Sequence, residues 1–288
     1  MHDNIASRPW EERSPGSWRA TWEIPGVGPA TTTVDANSGA RIGSFAVNGI
    51  ELLGHSSSKN TAAAFRSGCF VMAPYAGRVA GVFNWMGANY RLPISAPPHA
   101  ARGLVADVPW IGDRTGTYRC ALDDRLPFGG WVTQPVRCDQ RGLTVHVSVG
   151  NDERAMPVNV GLHPWFRRRI AKDQVRLDLD IDRSTSADGE RSTLQERLLL
   201  SSEARPSSTC VVATAEQPVL RWGDRLALTL DSNAAFWVVY DGDAGGLCVE
   251  PQTAPPNALR AGDFTVASPG KPVTLSLYTR PSWELRPR

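Results

Sequence analysis

Long apolar runs are missing from this 288-residue chain. No stretch approaches the roughly 18 consecutive apolar residues of a membrane-spanning helix, so none is expected and no membrane partner is read. Cysteine is sparse. The five cysteines, Cys69, Cys120, Cys138, Cys210 and Cys248, are odd in number and form no C-x-x-C pair. That argues against a disulfide framework and against a structural zinc site. Cys69, Cys120, Cys210 and Cys248 sit beside apolar residues, as small buried hydrophobes do. A reducing cytoplasm is the compartment that fits. The opening Met1-His2-Asp3-Asn4 lacks the basic-then-apolar order of a secretion signal. An excess of either charge is lacking too. With 31 basic and 29 acidic residues the net charge is +2, which gives no concentrated basic face for nucleic acid. The densest basic run, Arg167-Arg168-Arg169, reads as a solvated loop or strand end rather than a phosphate site.

Familiar catalytic signatures are equally scarce. There is no G-x-x-x-x-G-K-[ST], and no G-x-G-x-x-G follows a strand pattern. Neither G-x-S-x-G nor H-E-x-x-H occurs. His2, His55, His99, His146 and His163 lack metal-ligand spacing, and His146 falls on a strand face as a structural residue.

Strand periodicity is abundant. Val175 to Asp182 alternates apolar and charged residues without a fault, which predicts a strand with one wet face and one buried face. Thr144 to Val149 alternates likewise and groups Val145, Val147 and Val149. Leu226 to Leu230 and Val273 to Tyr278 are further strands. Phe236 to Tyr240 and Leu247 to Glu250 flank the turn Asp241 to Gly246, so they read as a hairpin or close neighbours. Short helices are expected near Thr61 to Phe65 and Leu194 to Leu199. Ser184 to Ser208 reads as a surface excursion, and about the first ten residues as loosely held. The 26 glycines and 22 prolines punctuate short strands throughout. Many short strands with frequent turns predict an all-β sandwich or barrel. No repeat or long linker divides the chain, so residues 1–288 are read as one domain.

Three segments set a few polar groups inside an apolar, turn-rich frame, as small-molecule pockets do. In Met72 to Gly81, Arg78 fits either a ligand-oxygen donor or a structural arginine satisfying carbonyls. In Met156 to Phe166, His163 precedes Pro164 and two aromatics. It fits an acid–base group near neutral pH or a satisfied core histidine. In Leu247 to Asn257, Glu250 follows an apolar run. It fits a general base whose pKa burial raises, or a strand-end carboxylate accepting turn amides.

Together these segments resemble the aldose 1-epimerase (galactose mutarotase-like) family. Pro74-Tyr75-Ala76-Gly77-Arg78-Val79 is similar to its Pro-Tyr-x-x-Arg stretch. Trp85 to Ile94 is similar to its strand pair, and Ala101 to Trp110 to its L-H-G-[LF]-V-R-D-x-P-W motif. Gly161 to Phe166 is similar to the histidine motif, and Cys248 to Asn257 to the glutamate motif. The five stand in the family's order, across roughly residues 30 to 280. The resemblance implies a large antiparallel β-sandwich with an open cleft, no metal and no organic cofactor. It implies a small-molecule carbohydrate as partner and a monomer or homodimer. It also implies catalytic roles. Glu250 takes the proton of the anomeric C1 hydroxyl, and His163 protonates the ring oxygen. The ring opens, the C1–C2 bond rotates, and closure on the other face exchanges the roles of two groups of matched pKa. Substrate contacts are implied at Arg78, Arg102, His99, Tyr75, Trp165 and Gln252.

Two departures change this expectation. The family's His-Gly pair is Arg102-Gly103 here, and arginine cannot act as a base. His99 lies three residues earlier. The family's sugar-binding aspartate has its nearest equivalent at Ser207 or Ser208. Three readings follow: a mutarotase for a free or modified aldose, an acid–base enzyme for an acidic sugar or sugar phosphate, and a non-catalytic sugar binder.

Overall fold

A sequence period of two becomes a sheet because alternate side chains point to opposite faces. The computed structural model describes residues 10–54, 65–181, 184–186, 191–192, 196–197, 208–212 and 217–283. Among these residues, one sheet has twelve strands. Its spatial order is Glu11–Ser14, Ser17–Ile24, Gly28–Asp35, Arg41–Val47, Cys69–Met72, Gly161–Arg167, Gly246–Gln252, Phe236–Tyr240, Ser208–Val212, Ser184–Ser186 and Arg191–Ser192. Ile50–Glu51 pairs off this path with Arg41–Val47. A nine-stranded sheet runs Ile111–Gly112, Thr117–Ala121, Trp131–Asp139, Gly142–Gly150, Val273–Trp283, Leu226–Ser232, Val219–Trp222, Asp173–Asp178 and Arg169–Ile170. Neighbouring strands run antiparallel. The all-β expectation holds.

The inner faces of the two sheets meet in one apolar cluster. Val145, Val147 and Val149 stand opposite Leu277, Leu275 and Val273 in register. From the other sheet come Trp18, Ala20, Trp22 and Ile24, alternate residues of one strand. Trp22 stacks on Phe45 at 6.1 Å. Such burial is the dominant favourable term in folding.

The predicted hairpin is present, with Val238 opposite Glu250. Trp85 and Ala88 close a second one through Met86-Gly87, both at positive φ, as a two-residue turn of matching twist requires. Several expectations need correction. The uninterrupted strand at Val175 to Asp182 is split. Asp173–Asp178 stops where its neighbour ends at Val219, and Asp180–Ile181 pairs instead with Glu196–Arg197. That pairing also removes the helix expected at Leu194 to Leu199. The helix expected near Thr61 lies outside the described residues except for Phe65, which is in a turn. The described α-helix is Ala258–Ala261, ended by Gly262 at φ 86°. Cys120 is only partly buried, because it lies on a strand near the edge of the nine-stranded sheet, past the end of its short outer neighbour Ile111–Gly112. Arg168 is not a solvated loop residue. It turns inward, ion-pairs with Asp241, and donates to the carbonyls of Asp241, Asp243 and Gly246 at 3.0, 2.9 and 3.2 Å. It thereby fastens the hairpin turn.

One region of the twelve-stranded sheet is buried on both faces. Cys69–Met72 and Gly246–Gln252 are buried throughout, and Gly161–Arg167 is buried up to its last residue. Their outward side chains, Phe70, Met72, Trp165 and Cys248, form a second, smaller apolar cluster. That outer face carries the cleft described below. As a test of the core, Leu275→Ala should destabilise the protein by about 2–5 kcal/mol in chemical denaturation. Thr274→Ala, on the exposed face of the same strand, should stay within about 0.5 kcal/mol. Equal losses would contradict the assignment of faces.

Candidate active site

Three adjacent strands bring the polar residues together. Gly161 pairs with Gln252 and Trp165 with Cys248, so His163 stands across from Glu250 midway between them. On the other side His163 faces Phe70. Alternation then puts Gly161, His163 and Trp165 on one face with Gln252, Glu250 and Cys248. Gly161 has to be small. A Cβ there would lie 2.7 Å from Met72 Cε and 2.8 Å from Ala76 Cβ.

His163 Nε2 is 3.2 Å from Glu250 Oε1. Both residues are buried, at 8% and 4% exposure. The imidazole lies between two aromatic rings, stacked on Phe70 at 4.7 Å and on Trp165 at 5.5 Å. Trp165 in turn meets the edge of Tyr240 at 5.9 Å. At the other end the Arg41 guanidinium lies over Phe70 at 4.5 Å and donates to the Ser67 carbonyl at 2.9 Å. Stacking therefore orients His163, whose buried Nδ1 has no hydrogen-bond partner among the described residues. Gln252 Nε2 donates to Glu250 Oε2 at 3.1 Å and fixes the other half of the carboxyl.

This site is the floor of a cleft of about 200 Å³. His163, Glu250 and Trp165 line it, joined by Arg66, Arg78, Arg102, Val238 and Tyr240. Arg78 and Arg102 arrive on a two-stranded ribbon, Arg78–Ala80 with His99–Ala101, in which Arg78 is opposite Ala101. Arg102 has φ 64°, a left-handed conformation that costs a non-glycine residue about 1–3 kcal/mol. Its N–H bonds the Gly77 carbonyl at 2.9 Å, and Leu104 N–H bonds the Ala73 carbonyl at 2.7 Å. Gly103 between them must be glycine, since a Cβ would lie 2.3 Å from the Ala73 oxygen.

Three residues expected at the substrate lie elsewhere. Tyr75 is fully buried and lines a neighbouring cavity, because its turn directs the ring beneath the ribbon. His99 pairs with Ala80 at the far end of the ribbon from Arg102 and does not line the cleft. Gln252 stands behind Glu250 as a positioning group. Ser207 lies outside the described residues, and Ser208 is a strand residue opposite Tyr240. Arg41, Phe70, Tyr240 and Arg66 were not anticipated. Phe70 had a usable signal, its place in an apolar strand just before the Pro74 motif. Arg41 had none, being distant in sequence from every motif.

Burial sets the charge of the pair. It pushes the Glu250 carboxyl up to about 8, against the opposing pull of the Gln252 hydrogen bond and the Arg102 charge. It pushes the His163 imidazole down to about 3, assisted by Arg102 and Arg41. Both shifts run toward the neutral forms, because dry surroundings penalise either charge. His163, Cys248 and Glu250 also place donor atoms within 4.8 Å of one another. Burial raises the pKa of the Cys248 thiol, with the Glu250 and Asp243 charges adding to it.

These shifts have opposite effects on stability. Glu250 keeps its proton in the folded state and loses it in the unfolded state from about 4.5 upward. Its contribution therefore declines as pH rises from about 4.5 to 8. His163 has a lowered folded value, so its contribution declines as pH falls from about 6.5 to 3. Glu250→Gln should accordingly gain Tm relative to wild type by several degrees between pH 5 and 9. Parallel thermal-denaturation curves over that range would show that the carboxyl is not held neutral.

The aldose 1-epimerase family model matches residues 29–278. A relative is the uncharacterized protein YihR of Escherichia coli strain K12, 26% identical over 231 residues, which span 70% of this chain and 75% of that one. In fold the chain is similar to the Slr1438 protein of Synechocystis sp. PCC 6803, with TM-score 0.74, 20% identity and coverage of 92% and 96% of the two chains. A galactose mutarotase-like protein of Clostridium acetobutylicum gives TM-score 0.73 at 14% identity, covering 96% and 98%. One from Lactobacillus casei gives 0.73 at 16%, covering 91% and 99%. With the match to 29–278 spanning most of its length, this chain belongs to the aldose 1-epimerase family.

Proposed function

We propose that the protein is a mutarotase that interconverts the α and β anomers of a free or modified aldose. The observation that carries this reading is the His163–Glu250 contact of 3.2 Å, buried on the floor of an open cleft. Anomer exchange needs an acid and a base at two oxygens of one carbon, and needs them to trade places. Two groups sharing one proton across a hydrogen-bond distance meet that requirement.

The exchange runs as follows. Sugar hydroxyls enter the cleft and supply hydrogen bonds that the empty site lacks, which favours the carboxylate–imidazolium arrangement of the same proton. Glu250 removes the C1 hydroxyl proton as His163 gives its proton to the ring oxygen. The ring C–O bond breaks and C1 becomes a carbonyl. After rotation about C1–C2, the freed hydroxyl adds to the other face. His163 recovers its proton, and Glu250 returns one to the new C1 hydroxyl. Trp165, flat against His163 and lining the cleft, offers an apolar surface to the sugar's C–H face.

Anomer exchange followed by polarimetry or saturation-transfer NMR tests this across neutral and anionic aldoses. Glu250→Gln and His163→Asn should each lose about 10²–10⁴-fold in kcat. Activity should fall as pH rises through about 8, where the pair loses its last proton. A wild-type protein that never exceeds the spontaneous rate, yet binds sugar in both wild-type and Glu250→Gln forms, would establish the non-catalytic binder instead.

A further inference from the structure

The cleft holds more positive charge than its own residues balance. Arg66, Arg78 and Arg102 line it, whereas its carboxyl, Glu250, is protonated at neutral pH. Arg66 is paired with Asp243 at 3.2 Å. Among the described residues, neither Arg78 nor Arg102 has a hydrogen bond or ion pair from its guanidinium. Arg102 only stacks over Phe65, 5.1 Å from the ring centroid. Burial pulls its pKa down against the opposing influence of Glu250, and the neighbouring positive charges of Arg78 and Arg66 add to the lowering. A partly buried guanidinium without an anion is costly, and this one also sits on a left-handed residue. The backbone bonds of Arg102 and Leu104 hold it there. Arg78 and Arg102, one on the ribbon and one just beyond it, line the same cleft and together offer guanidinium donors of the kind that pair with the oxygens of a carboxylate, sulfate or phosphate.

Resting on the mutarotase reading, we propose that the substrate is an aldose bearing an oxyanion substituent, held by Arg78 and Arg102, and that neutral aldoses are poor substrates. The arrangement also ties binding to chemistry. The Arg102 charge is one of the influences that keep His163 unprotonated. An anion on Arg102 offsets that charge and makes the imidazolium easier to form. The substrate's own charge thus readies the acid–base pair further than sugar hydroxyls alone do.

The experiment compares glucose and galactose with glucuronate, glucose 6-sulfate and glucose 6-phosphate. The three anions distinguish a planar from a tetrahedral group and a single from a double charge. Anomer exchange by NMR should show kcat/KM at least about tenfold higher for one or more anions than for either neutral sugar. The KM of the preferred anion should rise with ionic strength. Arg102→Gln and Arg78→Gln should each reduce the anionic-over-neutral preference by about tenfold or more. Arg78 is exposed, so its variant remains informative if Arg102→Gln does not fold. Equal or better turnover of neutral sugars would overturn the proposal, as would a preference that both variants leave intact. Thermal-shift titration of Glu250→Gln with the same five sugars separates this result from failure of the mutarotase reading. Selective anion binding without wild-type turnover would sink the mutarotase but retain the charge recognition. No selective binding and no turnover would sink both.

Discussion

The site depends on one register. His163 meets Glu250 because Gly161 lies opposite Gln252 and Trp165 opposite Cys248. A slip of one residue would turn His163 into the core and bring Leu162 or Pro164 to the cleft. Pro164 has no N–H, so it cannot complete a ladder, and prolines are uncommon in central strands. Here the pairing toward Gly246–Gln252 is continuous from Trp165 to Arg167 and resumes at Gly161. The open stretch between is where the imidazole and the carboxyl reach each other. Neighbours on both sides hold the strand through that gap, Cys69–Met72 by pairing with Gly161 to Pro164 and the hairpin strand from Trp165 onward.

Dryness is the second condition. The outward cluster of Phe70, Met72, Ala76, Ala106, Trp165 and Cys248 excludes water from beneath the pair. Without it, Glu250 would be an ordinary carboxylate and His163 would titrate near neutrality by itself. With it, the charged forms are penalised separately, and a single proton serves both groups. Any polar group that reached the pair would relieve that penalty, so the ionisation of the two residues is coupled to what lies beside them.

Much of this was legible in the sequence, for definite physical reasons. Alternation in Thr144 to Val149 and Val273 to Tyr278 reports burial directly, since one face of each strand meets the opposite sheet. Glu250 and His163 stood out as polar residues within apolar strand patterns. What pattern cannot report is where a strand runs out of partners, and the split after Asp178 depends on the end of Val219–Trp222. Nor can it report contacts between distant segments. Arg41 reaches the site only through the stack on Phe70, and no spacing connects it to His163. Tyr75 shows the converse. It shares a motif with Arg78, yet its ring lies in the cavity beneath the ribbon while Arg78 lines the cleft. Two residues of turn, Ala76 and Gly77, separate two environments.

The same geometry divides the labour of the site between two kinds of element. The acid–base pair sits on central strands, each clamped by neighbours on both sides. Its geometry can change only if the sheet changes. The guanidiniums sit on a short ribbon of three residues per strand, paired with nothing else in the sheet. Neither arginine takes part in the 3.2 Å contact itself. Arg102 still acts at a distance, because its charge is felt by both Glu250 and His163. A residue that lines the cleft therefore also affects how readily the pair ionises. In a site this dry, a ligand that offset the Arg102 charge would shift that balance as well.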